Sequence, residues 1–464
     1  MTESRELLDK VIDSDYCIGC GSCASVAGSP FSVRMDRFGN IVAYAVSDPD
    51  ASDAGVLSIC PFSGKARNED QLSDIFFPEI KEKDRKIGKY LECFAGYVNE
   101  DKFREKGSSG GFGKWMGYTL LHENHIDYLI QVYPNLTGDP EQPLFDYSIV
   151  SDKNAVINGS RSSYYPVTLA NVIKQIREKD GRYAITGVPC FIKALRLLSL
   201  EEEMIRKRIR FTFGIICGGM KSANHAKMIG WQLGVKPGNL VSIDFRRKHP
   251  DKPASYKIYQ VWSNSDSDER YRDAGEIYGT DWGSGYFKPN ACDYCDDVVG
   301  ETADISFGDS WLPQFEKDPL GTSLIIVRNE LLSDILKKNL SENKITLSGL
   351  TPADVIRAQE GGFRQRRDAL SYRLSKKEIL RQWYPPKRVR PGEFRITSKR
   401  KKIYTLREKI AQKSHIAAVN AMDTGDINVF FEEMEPLRKK YHRLLYGNLP
   451  VRAFNKLKRI LLHK

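Results

Sequence analysis

From Gly111 to Glu123 the apolar residues recur at helical spacing, and the short stretch Tyr128 to Val132 that follows reads as a strand. The alternation repeats with a helix over Leu169 to Lys179 and a strand over Tyr183 to Thr186. A largely apolar run, Phe211 to Ile216, ends directly before Cys217, and a helix is predicted near Ala223 to Leu233. Strand patterns recur around Val241 to Phe245 and Tyr256 to Val261. The pattern predicts an α+β fold with a mixed α/β core and no internal repeats. The charge run Lys81 to Lys86 marks one boundary, and Pro385-Pro386 with the Arg388 to Pro391 stretch marks another. Three segments follow: 1–86, 87–386 and 387–464, the last rich in helix formers and charge.

Composition narrows this picture. At 464 residues and 41% hydrophobic content the chain has room for two or three domains and a large core, which excludes a disordered class. The start lacks a charged region followed by an apolar stretch, and no run of eighteen apolar residues occurs, so a cytoplasmic protein is expected. Charge is uneven: Ser398 to Lys464 holds 16 Lys and Arg against 6 Asp and Glu, which is +10 of the net +11. In the final segment Val451, Phe454, Leu457, Ile460 and Leu461 recur at helical spacing with Arg452, Lys456, Lys458 and Arg459 between them. Such a tail fits the inner membrane surface or an acidic partner, or packs on its own domain with a solvated basic face; nucleic acid is the least favoured partner.

The chemistry lies in the cysteines. Eight of nine form two groups of four, with Cys93 left over as a packing residue. The first group is Cys17, Cys20 and Cys23, with two residues between each, completed by Cys60 directly before Pro61. Three thiolates this close can wrap one face of a cubane if the backbone turns tightly, which Gly19 and Gly21 allow. A cysteine before proline closes ferredoxin-type runs, whereas structural zinc sites use two separated pairs, so the first group predicts a [4Fe-4S] ligand set. Because Cys60 is distant, the intervening chain must fold back. The second group, Cys190, Cys217, Cys292 and Cys295, suits zinc or an iron-sulfur cluster equally on spacing alone.

Two loops could hold a small molecule. Gly107-Ser108-Ser109-Gly110-Gly111-Phe112-Gly113 precedes the first helical pattern, where bent backbone and a helix amino end could cradle the pyrophosphate of a flavin or nicotinamide dinucleotide. It is neither a Rossmann fingerprint nor a Walker A loop, and a plain helix-capping loop is the alternative. In Asn158-Gly-Ser-Arg161-Ser162-Ser163-Tyr164-Tyr165, Arg161 could pair with phosphate and Tyr164 could stack on a flat ring.

Taken in order, these loops, Gly-Val-Pro-Cys190-Phe-Ile-Lys-Ala-Leu-Arg, Cys292-Asp-Tyr-Cys295-Asp, Ala303-Asp-Ile-Ser-Phe-Gly-Asp-Ser-Trp311 and Gly321-Thr-Ser-Leu-Ile-Ile-Val-Arg328 resemble the coenzyme F420 hydrogenase/dehydrogenase beta subunit family, whose relatives include 7-hydroxymethyl chlorophyll a reductase. The resemblance spans roughly residues 10 to 360. It implies an FAD-containing iron-sulfur oxidoreductase with two [4Fe-4S] clusters, the second on Cys190, Cys217, Cys292 and Cys295. It also implies that Ser108, Ser109, Gly110, Gly111, Arg161, Ser162, Ser163 and Tyr164 lie near the flavin. Two positions depart from the pattern: Phe191 stands where glutamine is common, and Gly218 where histidine is frequent.

The expected mechanism is a short electron wire. A ferredoxin-like donor or partner subunit would feed the first cluster, and a small organic substrate, coenzyme F420 or NAD(P)H would meet the flavin. His122, His125, Tyr164 and Asp309 are candidates for a proton donor, and no catalytic acid is assigned among them. The rival expectations are an electron-input subunit without its own substrate, and a metal-stabilised binding protein with zinc in the second site.

Overall fold

In the computed structural model, which describes residues 1–265 and 268–447, the helix-strand alternation becomes one eight-stranded sheet beside smaller ones. The amphipathic Val451–Leu461 segment lies outside the described residues. In chain order the longer strands are β1 (Phe31–Met35), β2 (Ile41–Ala45), β3 (Glu92–Val98), β4 (Tyr128–Pro134), β5 (Phe145–Val150), β6 (Tyr183–Gly187) and β7 (Ile209–Ile215), followed by β8 (Leu240–Arg247), β9 (Ile258–Ser263), β10 (Arg270–Asp273), β11 (Ile305–Asp309), β12 (Ser323–Val327) and β13 (Ile345–Gly349). The large sheet runs β13-β3-β12-β11-β7-β6-β4-β5. Its centre, β4, β6, β7 and β11, is parallel, with Ile130 opposite Ile185, Thr186 opposite Phe213, and Phe213 opposite Ile305. The pairs toward both edges are antiparallel.

Parallel strands need covering on both faces, and the helices supply it. They are α1 (Phe112–His122), α2 (Ala170–Glu178), α3 (Pro189–Glu201) and α4 (Ala223–Gln232); α1, α2 and α4 lie close to the spans expected from periodicity. In α1, Phe112, Trp115, Met116 and Leu120 lie on the buried stripe and are sealed from solvent. Each contributes about 1.5–3 kcal/mol by leaving water. Gly117 lets α1 approach the sheet, since a Cβ there would stand 2.6 Å from Leu129 Cδ2.

Residues 1–86 carry the β1-β2 hairpin and several short helices. Leu7, Val11, Leu57, Phe62 and Leu72 join one hydrophobic cluster with Val172, Ile173, Phe191 and Leu195, so this segment packs directly on α2 and α3. The C-terminal chain is equally well attached. Helices α5 (Ser398–Thr424) and α6 (Ile427–Tyr446) form a hairpin turned at Gly425. Their buried residues, among them Leu406, Ile410, Ala417, Phe430 and Met434, pack with Met228, Tyr286 and Phe287. Ahead of them Arg388 reaches three buried carboxylates: it donates to both Glu301 oxygens at 2.6 and 2.8 Å and to Asp296, and its Nε lies 3.4 Å from Glu69. Among the described residues no helix is long and apolar enough to cross a membrane.

Candidate functional site

The first cysteine set is shaped by backbone. Gly19 and Gly21 adopt φ of +66° and +82°, and a Cβ at either would strike Ile41 O at 2.2 Å or Thr168 Oγ1 at 2.4 Å. Only glycine allows the Cys17–Cys23 turn to close this tightly against β2 and the residues before α2. Cys17 Sγ accepts from the N–H groups of Gly19 and Ala43, both at 3.4 Å. Cys60 ends the short helix Val56–Ile59 and returns to the triplet. Burial first, and then the neighbouring Cys17, Cys20 and Cys60, push the Cys23 thiol far up, so the four thiols are neighbours.

The second set is assembled by the sheet. Cys190 lies in the first turn of α3, just past the end of β6, and Cys217 lies two residues past β7, so adjacent parallel strands deliver both. Cys292 and Cys295 come from the turn Asn290–Tyr294 and the residue after it. The N–H groups of Gly219 and Met220 donate to Cys217 Sγ and Cys292 Sγ, each at 3.3 Å. Burial raises the Cys190 thiol well above its ordinary value, with Cys295, Cys217, Cys292 and also Cys20 adding to it. Among the described residues no three His, Cys, Asp or Glu side chains stand close enough to clasp a single metal ion. A zinc ion bound by four thiolates draws its sulfurs to about 3.8 Å of one another, whereas a cubane separates its ligands by its own irons and sulfides.

The two sets adjoin. Tyr16, before Cys17, packs edge-on against Tyr294, between Cys292 and Cys295, with ring centroids 4.9 Å apart. Arg366, 3% exposed, brings its guanidinium to Cys295, Cys217 and Cys292, and its Nε has no hydrogen-bond partner. Sequence reasoning missed Arg366, which sits in a run of arginines with nothing local to single it out. Cys93 stays apart, buried in β3 in a separate cluster.

A cavity of about 610 Å³ opens at the carboxyl ends of β4, β6, β7 and β11, where open α/β sheets bind their ligands. Cys217 and Cys292 form part of its wall. Of the loop residues read from the sequence, Ser108, Ser109, Gly111, Arg161, Ser162, Ser163 and Tyr164 line it. Gly110 instead turns away, its N–H on Ser323 Oγ at 3.0 Å and its Cα against Gly96. The two loops meet through Ser108 Oγ, which accepts from the Ser162 N–H at 2.7 Å and pairs with Ser162 Oγ at 2.9 Å. Gly111, at φ +91°, starts α1, and no side chain caps that helix end. Of the proton-donor candidates, Tyr164 and Asp309 line the cavity, whereas His122 and His125 precede β4 and do not.

The walls are strongly cationic: eight Lys and Arg side chains line the cavity against one carboxylate, Asp309, among the described residues. Arg246 holds that carboxylate, donating to its two oxygens at 3.1 Å each and to Tyr164 Oη at 3.3 Å. Burial alone would raise the Tyr164 phenol, but Arg246 and Lys257 outweigh it and the phenol lies below its ordinary value. Arg161 is occupied by Asp244 at 2.9 Å and by the Arg246 carbonyl. Lys114 donates only to backbone carbonyls, those of Lys106, Ile157 and Gly159, at 2.6–2.9 Å. Burial, then Arg161 and Lys106, push Lys114 down to about 7. Lys248, under the glycine loop on Ser109 O, is likewise pushed to about 7, by burial and then Arg161 and Arg104. Lysines near half-charge beside a bare helix amino end are groups that could receive an anion.

The sequence has counterparts among known proteins. The description "Coenzyme F420 hydrogenase/dehydrogenase, beta subunit N-term" matches residues 93–174, and the corresponding C terminus matches residues 180–353. The chain belongs to this family. It is similar to one of the subunits of the F(420)H(2) dehydrogenase of Methanosarcina mazei, 23% identical over 337 residues that cover 69% of this chain and 85% of the relative. It is also similar to an uncharacterised protein of Methanocaldococcus jannaschii, 21% identical over 371 residues, 75% of this chain and 92% of the other. Among solved structures, a chain of the F420-reducing [NiFe] hydrogenase complex from Methanosarcina barkeri aligns with a TM-score of 0.49 and 16% identity, over 64% of this chain and 96% of that one.

Within this oxidoreductase family the matched region holds the glycine loop, the Arg161 loop and the second cysteine set; the first set, Arg388 and Arg407 fall outside it. The departure at Gly218 has a steric reason. A Cβ there would come within 2.5 Å of Trp282 Nε1, so the indole occupies the space that a larger residue would need.

Proposed function

We propose that the chain is an iron-sulfur flavoprotein oxidoreductase of the coenzyme F420 hydrogenase/dehydrogenase beta subunit type. The single observation that carries this reading is the linear order of the parts: Tyr16, beside Cys17, packs on Tyr294, between Cys292 and Cys295, and Cys217 and Cys292 open on the cavity. Cys17, Cys20, Cys23 and Cys60 would hold one [4Fe-4S] cluster, in a ferredoxin-like module, and Cys190, Cys217, Cys292 and Cys295 a second. The bare start of α1, Ser108, Ser109, Ser162 and Lys114 would hold the pyrophosphate of FAD. When bound, these groups supply single-electron relay and its conversion to two-electron exchange with an organic substrate, a deazaflavin or a nicotinamide.

The chain's own residues do the rest. Buried thiols give up protons on ligation, and the N–H groups of Gly19, Ala43, Gly219 and Met220 then stabilise the thiolates. Arg366 adds a fixed positive charge beside the second set. Tyr164, its phenol held low by Arg246, has its hydroxyl at the Asp309 end of the cavity and can hold or release a proton there. Electrons would arrive from a ferredoxin-like donor or a partner subunit.

The test is anaerobic purification with iron, sulfide, zinc and flavin measured on one sample. About eight irons and one FAD per chain are expected. Zinc in place of four irons, or no FAD, refutes the reading. A second reading, an electron-input subunit, draws on the similarity to a dehydrogenase subunit. Stable copurification of a catalytic partner, with no substrate turnover by the chain alone, would select it.

A further inference from the structure

We propose that the part of the cavity between Trp282 and α5 is an anion subsite, built in part by the C-terminal hairpin, that takes the carboxylate or phosphate group of an organic substrate, with Arg407 selecting for it. The inference rests on the reading above, in which the glycine-loop side of the same cavity takes the flavin.

Arg407 lines the cavity from α5 and hydrogen-bonds only to neutral groups, the Tyr441 hydroxyl at 3.0 Å and the Gln365 side-chain oxygen at 3.4 Å. It lies against the turn at Gly283, where a Cβ would stand 3.5 Å from Nη2. Across that turn Lys221 Nζ is 4.7 Å and Lys257 Nζ 5.4 Å from the Trp282 ring. Lys221 is 4% exposed and donates to the carbonyl of Tyr286. Neither Lys221, Lys257 nor Arg407 has an ion-pair partner among the described residues. Asp309, the one carboxylate that the described residues place in the cavity wall, is already shared by two Arg246 nitrogens. The nearest other acid on this side, Asp281, is exposed and accepts from the Gly283 N–H.

Three basic side chains converging on one enclosed space, with only the exposed Asp281 to offset them, are costly unless an anion completes them. The guanidinium, planar and already oriented by Tyr441, suits a carboxylate or phosphate better than a lysine does. Arg407 stands beyond residue 353, where the family match ends, so this selectivity belongs to the extension of this chain and not to the shared core.

Calorimetry on the purified full chain tests it with naphthalene-2-sulfonate and its uncharged isostere naphthalene-2-sulfonamide. The wild type should bind the sulfonate at least about tenfold more tightly, the worth of one charge-assisted hydrogen bond. Arg407→Gln should remove that preference while leaving the sulfonamide unchanged, and Arg407→Lys should keep part of it. Because Arg407 also touches Tyr441, Lys257→Gln serves as a second variant and should weaken only the sulfonate. Equal binding of the two probes by the wild type overturns the proposal. So does a preference that survives both glutamine variants, or a loss shared equally by both probes. Iron and flavin measured on the same samples read the preceding proposal separately: a sulfonate preference in protein that lacks FAD keeps the subsite and sinks the electron chain.

Discussion

If the cavity takes FAD as proposed, Lys114 and Lys248 make its affinity dependent on pH, with a sign and size that follow from their surroundings. Burial holds both ammonium groups near 7, so in the empty cavity each is mostly charged at pH 6 and mostly neutral at pH 8. A bound pyrophosphate favours the charged form and raises both values, so binding above pH 7 must take up protons. The pyrophosphate diester keeps its two charges throughout this range. Affinity is therefore full below pH 7 and falls as pH rises through it. Between pH 6 and 8 each lysine goes from about 90% to about 10% charged, which costs about tenfold for Lys114 alone and about a hundredfold with Lys248. Lys114 lies in the cavity wall and Lys248 behind Ser109, so about tenfold is the share of Lys114 and about a hundredfold the upper bound for both. Fluorescence titration of FAD into flavin-free protein at pH 6, 7 and 8, at constant ionic strength, measures the slope. Lys114→Met should lower affinity at pH 6 and remove about tenfold of the pH dependence. A dissociation constant that does not change from pH 6 to 8, or an unaltered slope in Lys114→Met, would refute the argument.

Three further outcomes are expected. Cys295→Ala should cut the iron content from about eight to about four per chain while the first set keeps its cluster, read by iron analysis and electron paramagnetic resonance; loss of all iron would mean that the two sets are not independent sites. Arg388→Met leaves Glu301, Asp296 and Glu69 buried without their shared partner and should cost about 3–5 kcal/mol, seen as a lower thermal midpoint; a change under about 1 kcal/mol would show that water already reaches the network. Gly218→Ala should cost about 1–3 kcal/mol by crowding Trp282, and much less in a Trp282→Ala background; equal costs in both backgrounds would remove the clash as the cause.

The legibility of the chain in its sequence followed the range of the interactions. The helices α1, α2 and α4 were readable because their buried stripes are local and regular. The first cysteine set was readable for a related reason: the turn that gathers Cys17, Cys20 and Cys23 is written in Gly19 and Gly21. The second set was not separable from a zinc site on spacing, because Cys190, Cys217 and the Cys292–Cys295 pair meet only through strand order. His122 and His125 looked as eligible as Tyr164 because composition does not say which end of a parallel sheet a residue reaches. Arg366, Arg246 and Arg407 were invisible as site residues, since a buried guanidinium reads in sequence like a solvated one. The C-terminal segment showed its helix formers, yet nothing local revealed that Arg407 would line the cavity or that Ser414 would receive the Phe287 N–H at 2.8 Å.

Cys190 and Cys217 follow neighbouring parallel strands, in the register that sets Gly187 opposite Gly214. The ladder fixes such strands about 4.8 Å apart whatever their loops carry. If the second set holds a cluster as proposed, two of its four thiols are thus placed by the sheet itself, while the first set depends on a glycine turn and a returning loop. During maturation the sheet would then offer an incoming cluster a seat that already exists, whereas the first site would rely on a loop coming back to it.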